Sequence, residues 1–471
     1  MIGLGIQGRT ALLPQFLGQY DRGAKVVVCC DCDKDRREDG AKRVDDYYSK
    51  RKIQSACKAV ADFRDVLKDP TIDMVCIATP DHWHAYMAVE AMKAGKDVYC
   101  EKPLTHTVEE AKAVMAAAAK YGRILQTGAM QRSGIEFRTA CMVVRNGGIG
   151  RVSLVDVNYG GGGSKLGGPS HPIRFFDDPK NAATEGAPNP NVDWDMWLGP
   201  AKWRAYSDQL APRGVNKFYP MFWRFDDDFG TGYNGDWGAH HLDIAQWGMD
   251  MDKSGPYKII RSDEPYSTDL YHGGRRQFGM KMLFKSPTGD IELYHGPFGT
   301  WGTVFYGTKG VVAVNRGKIA VWEGTLVKPT AEIRRALADM KPVAGLTLVA
   351  ASVGKDYGTD SSDKKDDRLT STLKTLCAKY DLEHAKVQLY KSPNQVQNFV
   401  ECYFSRKPTI SPAEVGGRGS ILCGLCNMSY VYDTGFGWDP VKMDFPEGCS
   451  CRKMGLSLKR EFSRNGWEVV V

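Results

Sequence analysis

Nowhere in its 471 residues does the chain carry an unbroken apolar run of the roughly 18 residues that a spanning helix needs, so no membrane span is expected. Charge of one sign is scarce too. Lys and Arg number 63 against 56 Asp and Glu, and the net +7 is spread over small clusters rather than one stripe. That excludes the basic face a nucleic-acid binder requires. The 13 cysteines, an odd number, are scattered through apparent strands and helices, so at this length no disulfide scaffold is expected, and reduced thiols favour the cytoplasm. Cys29, Cys30, Cys32, Cys76 and Cys100 lie in or beside apolar strands, where cysteine acts as a small buried hydrophobe. Cys423 and Cys426 form a C-x-x-C inside a helical run with no second pair, so they read as structural, and Cys449 and Cys451 have no assignable role. Core-forming material is ample: 42% of residues are hydrophobic, enough at this length for two or three domains.

Gly3-Leu4-Gly5-Ile6-Gln7-Gly8 is a G-x-G-x-x-G run, followed by an expected helix over 9–20 and a strand over 24–30 that ends at Asp31, 23 residues after Gly8. Glycines there let the backbone approach a pyrophosphate at a helix amino terminus, and an acid about 20 residues on accepts the ribose hydroxyls. Asp31 would repel a 2′-phosphate, favouring NAD, while Arg36 and Arg37 keep NADP as the lesser alternative. Only Met1 and Ile2 precede Gly3, whereas a first strand takes about five residues. The chain is therefore expected to lack part of that strand, and an export signal upstream would make it periplasmic rather than cytoplasmic.

A second unit repeats the plan. An apolar run over 74–78 meets the turn Thr79-Pro80-Asp81; a helix is expected over 84–93, then the strand 97–100 and Glu101-Lys102-Pro103. Strand, helix and strand make a βαβ unit, so Glu101 and Lys102 stand at the carboxyl end of a parallel strand, where open α/β sheets bind ligands. The loop from Thr79 to His84 should cover the nicotinamide half of a dinucleotide, with His82 and His84 either capping the next helix or touching the ligand. A helix over 108–121 and a strand over 123–127 close the first domain near Gly128.

These motifs, with Ala78-Thr79-Pro80-Asp81-His82-x-His84, Asp195-x-Trp197-Leu198-Gly199-Pro200 and Trp438-Asp439-Pro440, resemble the Gfo/Idh/MocA oxidoreductases along the whole chain. The resemblance implies an α/β protein: a Rossmann NAD-binding domain over 1–128, then an α/β domain over 129–471 with a large mixed, mostly antiparallel sheet. The second domain binds substrate and self-associates as a homodimer or homotetramer through its sheet, with closing helices and tail from about 396. It implies a cofactor site of Gly3, Gly5, Ile6, Gln7, Gly8, Asp31, Thr79, Pro80, His82, His84, Glu101, Lys102 and Gln131.

In the second domain a helix over 136–146 and a strand over 151–159 lead into a turn-rich stretch, 160–192, which is either a surface loop or a lid. Residues 194–247 hold 13 aromatic side chains in 54 positions, against 11% overall. Trp194, Trp197, Trp203, Tyr219, Trp223 and Trp237 alternate with Arg204, Arg224 and the acids 226–228, a mixture suited to a sugar ring. If 235–247 is helical, Asp236, His240 and Asp243 share one face, and a carboxylate one turn from an imidazole can orient it for proton transfer. By resemblance these match the family's Asp-x-x-x-His-x-x-Asp motif, so Lys102, Asp236 and His240 are the expected catalytic group. Asp243, His241, Trp223, Arg224 and Arg132 are the expected substrate contacts. A His-His-x-Asp metal site lacks further ligands, and no metal is expected.

The remainder reads as strands over 276–284, 290–295, 302–306, 311–314 and 318–322, a helix over 330–340, a solvated insertion over 351–368, and helices over 396–406 and 417–430. The expected activity is NAD-dependent oxidation of a secondary hydroxyl of a sugar, glycoside or sugar derivative. The alternatives are an NAD-dependent glycosidase working by transient oxidation and elimination, and a catalytically silent NAD-bound binding protein. The partner expected is a small carbohydrate, with neither nucleic acid nor membrane.

Overall fold

The computed structural model describes residues 1–159, 187–215, 222–265, 278–295, 301–326, 329–353, 367–460, 463–464 and 466–471. Tyr219, most of the turn-rich stretch (160–186) and residues 354–366 of the expected insertion lie outside them.

The amino-terminal chain forms a doubly wound parallel sheet. Val28–Cys30 pairs with Lys58–Val60, and Met74–Ile77 with Asp97–Cys100, which pairs with Leu125–Thr127. Ile2 bridges the two halves by pairing in parallel with both Cys30 and Ile77. The Met1 amino group donates to Val28 O at 2.9 Å, and Ala78 N donates to Ile2 O at 2.8 Å. The strand order therefore reverses at Ile2, and the loops just beyond the strand ends there are the ligand-binding crevice of such sheets.

Local chemistry explains the elements around this crevice. Gly3 has φ +86°, and a side chain on it would strike Ala78 C at 2.6 Å and Thr79 N at 2.7 Å. The helix that follows the glycines starts earlier than expected, as a wide π turn over Gln7–Leu12 continued by Leu13–Leu17. Pro14 lies at the junction, where its missing N–H cannot serve a regular ladder. The helix Lys34–Lys50 begins where Asp33 accepts from Asp35 N and Arg36 N. A reciprocal pair between Thr107 and Glu110 starts Val108–Tyr121.

Among the described residues the second sheet has nine strands in the order Leu346–Val353, Lys318–Gly324, Gly310–Asn315, Thr303–Gly307, Val152–Val157, Ile291–His295, Phe278–Phe284, Lys258–Pro265, Phe436–Gly437. Val152–Val157 and Ile291–His295 run parallel; the other neighbours are antiparallel. One face is packed by the helices Ile135–Arg145, Gly238–Met249 and Ala413–Val431 in a single apolar core. On the face expected to be open for a second copy, the helix Ala331–Ala338 roofs part of the sheet. Its Arg334 holds the buried Asp156 carboxylate, to which Tyr306 also donates at 2.9 Å.

The first closing helix returns to the first sheet, while the next, Ala413–Val431, packs on the second and leads into its edge strand Phe436–Gly437. Phe399 of Gln395–Ser405 packs edge-on against Phe16 and Tyr99. Thr127 N donates to Ser411 O and Thr409 Oγ1 to Leu125 O, both at 2.8 Å. The expected insertion is flanked by regular structure: a strand through Val353 and a helix, Asp367–Lys379. Cys423 and Cys426 are free and buried, whereas Cys449 and Cys451 are disulfide-bonded. Among the described residues no helix is long and apolar enough to cross a membrane.

Candidate active site

A cavity of about 1350 Å³ runs from the glycine loop to the aromatic segment of the second domain. Glu101 and Lys102 enter it where the strand Asp97–Cys100 ends. Glu101 is buried, accepts from Gln7 Nε2 at 3.1 Å and from Lys102 N at 3.2 Å, and lies flat against Gly128, where a Cβ would sit 2.9 Å from its carboxylate. Burial raises its pKa.

Lys102 Nζ donates to the Asp236 carboxylate and, at 3.0 Å, to Asp236 O. Arg224 Nε stands 3.3 Å from the other carboxylate oxygen. Burial works to raise the Asp236 pKa, but Arg224 and Lys102 outweigh it and hold the group down at about 2. The short helix Gly232–Asp236 brings the carboxylate there. Asp81 accepts from Thr231 N at 3.2 Å and Oγ1 at 2.8 Å, and a side chain on Gly235 would run into Thr231 and approach Pro103.

His240, on the next helix, lines the same cavity. The expected orientation of its ring by Asp236 is not what the structure has: Asp236 is taken by Lys102 and Arg224, because two cations outcompete a neutral imidazole for one carboxylate. Burial, then the neighbouring Arg316 and Lys102 charges, lower the His240 pKa well below its ordinary value, so the ring is neutral. Its Nδ1 is buried with no hydrogen-bond partner among the described residues. Gln131, expected at the cofactor, lines the cavity, donates to His240 O at 3.0 Å and accepts from Arg316 Nε at 3.2 Å. Arg316 itself escaped the sequence reading. It sits in the hairpin turn after Gly310–Asn315, lies over the Trp237 ring at 4.8 Å, and is fastened by Gly317 N donating to the buried Glu136 at 3.0 Å. An arginine in a tight turn carries no signal that distinguishes it from a solvated one.

Several expected contacts belong elsewhere. Asp243 does not line the cavity; Arg132 grips it through two bonds of 2.7 and 2.8 Å and also holds Asp252. Arg132 reaches the cavity wall, but its guanidinium is committed to those carboxylates and to the Trp247 face at 5.1 Å. His241 points away from the cavity, stacked on Trp237 at 6.3 Å and so close under Gly302 that a Cβ there would fall 2.1 Å from its ring. His82 also faces away. Its ring nitrogens meet Phe229 O at 3.3 Å and Trp197 O at 3.1 Å, joining the two domains, and burial lowers its pKa to about 3. His84 lines the cavity and ties its two sides, with ring nitrogens 2.9 Å from Thr79 O and 2.7 Å from Pro103 O. Trp223 and Arg224 both line it, stacked at 4.9 Å.

The groove fits a dinucleotide. Gly8 is closed in, its Cβ position 2.1 Å from Gly3 O, while at Gly5 a Cβ would meet nothing within 4 Å and would project into the open groove. Ile6, Gln7, Thr79, Pro80 and Asp31 line it alongside Gly5. Asp31 receives Leu4 N at 2.7 Å and Asp33 N at 2.9 Å, and Thr79 Oγ1 is buried without a hydrogen-bond partner among the described residues. Arg36, also on the cavity wall, is drawn to Asp33 at 3.3 Å and to Pro212 O at 3.1 Å. Among the described residues no cluster of three or more His, Cys, Asp or Glu side chains could hold a metal.

Comparison with known proteins matches residues 1–129 to the oxidoreductase family's NAD-binding Rossmann fold and residues 174–278 to that family's C-terminal alpha/beta domain. Over 97 residues the chain is 38% identical to the uncharacterized oxidoreductase YrbE of Bacillus subtilis (strain 168), covering 21% of this chain and 28% of that one. Over 129 residues it is 35% identical to the scyllo-inositol 2-dehydrogenase (NAD(+)) of the same organism, covering 27% and 35%. Over 94 residues it is 37% identical to the levoglucosan dehydrogenase of Pseudarthrobacter phenanthrenivorans, covering 20% and 24%. The chain thus spans less than half the length of the curated relatives it matches. An NAD binding oxidoreductase from Klebsiella pneumoniae shares the fold, with a TM-score of 0.52 at 18% identity over 93% of this chain and 97% of that one. Both family models match this one chain, in the order of its two sheets: the chain belongs to the Gfo/Idh/MocA oxidoreductase family, and its first domain is the family's NAD-binding Rossmann fold.

Proposed function

We propose that the chain oxidises a secondary hydroxyl of a sugar or sugar derivative, with NAD as the hydride acceptor. One observation carries the reading. Lys102, at the strand end beside the dinucleotide groove, is clamped on Asp236 within the same cavity as a neutral, buried His240. NAD, when bound, supplies the electrophilic carbon that takes the hydride. The chain's residues manage the rest. His240, uncharged, accepts the hydroxyl proton. The Lys102 ammonium, held in place by Asp236, stabilises the negative charge that develops on the oxygen. Arg224 on Trp223 and Arg316 on Trp237 present a cation beside an aromatic face, a pairing that suits a hydroxylated ring. Relatives named as a levoglucosan dehydrogenase and a scyllo-inositol 2-dehydrogenase support the same substrate class.

The test is the nicotinamide absorbance change on adding sugars, polyols and glycosides to concentrated protein with NAD, repeated with Lys102→Met. Reduction by one substrate class, slowed about 10²- to 10⁴-fold in the variant, is expected. No reduction across the panel, or a variant as fast as the parent, would sink the proposal. Aglycone release without net reduction would assign the same residues to a transient oxidation followed by elimination.

A further inference from the structure

Beyond Leu456 the described residues of the tail leave the second domain and cross the first. Leu456 and Leu458 still belong to the apolar core over the second sheet. Glu109 N then donates to Leu458 O at 2.9 Å, and Arg464 N donates to Pro200 O at 3.2 Å. Trp467 stands edge-on to Trp83 and Tyr86, with ring centres 5.0 and 5.1 Å away. Between these anchors lies the Arg460 guanidinium, nearly buried and with all three nitrogens engaged. Nε donates to Glu110 at 2.9 Å, Nη1 to Asp228 O at 3.2 Å and Nη2 to His82 O at 3.2 Å. Glu110 in turn accepts from His106 N at 2.9 Å and Thr107 N at 3.0 Å. The run 228–231 is held residue by residue. Asp228 O is met by Arg460, Phe229 O by His82 N at 3.2 Å, Gly230 O by the His106 ring at 3.1 Å, and Thr231 by Asp81. That run joins Arg224 to the helix Gly232–Asp236, whereas Asp81, His82 and His106 stand on the domain that carries Lys102. One guanidinium therefore binds the run itself, the turn bearing His82 and the acid that fixes His106.

We propose that the tail is a strap and that Arg460, its central tie, is a positioning residue that sets Arg224 and Asp236 against Lys102. Arg460 does not line the cavity, so it acts through the groups it holds. A planar guanidinium suits the place because its donors are fixed in a fork, whereas a lysine ammonium is a point charge on a flexible stem. Without the fork Asp228 O and His82 O lose this donor, and Glu110 loses the charge it answers. The run 228–231 then keeps its ties to His82 and His106, but those residues have lost their own footing. Hydride and proton must move between groups on opposite walls of one cavity, where a misplacement of about 1 Å can cost roughly 10²-fold. As a role in catalysis this rests on the oxidoreductase reading; as a mechanical tie it does not.

The test uses the full chain as Arg460→Met and Arg460→Lys. Hydrogen exchange read by mass spectrometry should show peptides covering 79–84 and 226–236 opening at least about tenfold faster in both variants, with the helix Lys34–Lys50 unchanged. With NAD and the sugar panel, kcat should fall about 10- to 100-fold, while the Kd for NAD, by titration, stays within about threefold. Arg460→Lys keeps a charge beside Glu110 and should melt near the parent, yet its kcat should stay low; a merely structural role would give the rate back. Should Arg460→Met fail to fold, Arg460→Lys reads the same exchange and the same kcat. Unchanged exchange over 226–236, parental kcat despite faster exchange, or full recovery by lysine would overturn the proposal. A parent that reduces no NAD with any sugar, while exchange quickens in the variants, would refute the oxidoreductase reading and leave the strap standing. Sugar oxidation by the parent with unchanged exchange in the variants would do the reverse.

Discussion

Replacing Asp236 by asparagine keeps the shape of the side chain and removes the charge that Lys102 and Arg224 share. The Asp236 pKa is depressed to about 2, so its charge stabilises the fold above the unfolded carboxylate value and that stability is lost only as pH falls through about 2. Against an ordinary aspartate near 3.9, the depression corresponds to roughly 2–3 kcal/mol at pH 7. The Lys102 ammonium is then left against an amide in a largely buried site, which can carry the loss toward the 3–5 kcal/mol typical of a broken buried pair. Urea denaturation at pH 7 of the parent, Asp236→Asn, Lys102→Met and the double variant measures this directly. Asp236→Asn should lower stability by roughly 2–3 kcal/mol or more, and the double should recover roughly 1–3 kcal/mol against the sum of the singles. A single variant within about 0.5 kcal/mol of the parent, or strict additivity in the cycle, would refute the account of a carboxylate clamped by Lys102.

Other outcomes follow from the same geometry. Gly5→Ala, whose methyl would meet no protein atom within 4 Å, should melt like the parent yet bind NAD at least about tenfold more weakly by titration; unchanged affinity would mean the groove lies elsewhere. Arg132→Met strands the buried Asp243 and should cost about 3–5 kcal/mol, read from the same denaturation curves. Because burial and neighbouring cations depress the His240 pKa, its protonation begins only well below pH 6.5. Hydride-transfer rates should therefore stay flat from pH 8 to below 6 as far as this group is concerned, and a fall centred near 6.5 that His240→Gln abolishes would contradict that environment.

Much of the first domain was legible in the chain because its constraints are local. A Cβ at Gly3 or Gly8 would collide with backbone a few residues away in space, so glycine is required wherever the crevice closes this tightly. Strand ends at Asp31 and Glu101 follow from apolar runs meeting polar or proline residues, and the helix after Thr107 announces itself by its capping pair. Spacing also singled out Asp236 and His240, which both line the cavity although they stand on separate helices, Gly232–Asp236 and Gly238–Met249. It did not decide which partner Asp236 takes. That choice fell to Lys102, 134 residues away, and to Arg224, because a carboxylate goes to the nearest cation that packing delivers. The same holds for Asp243, claimed by Arg132 across 111 residues, and for Arg316, which a hairpin turn carries to Trp237. Backbone conformation and hydrophobic period are properties of neighbours along the chain and are written there. Which charges meet, and which crevices are covered, depends on distances that exist only once the two sheets have packed.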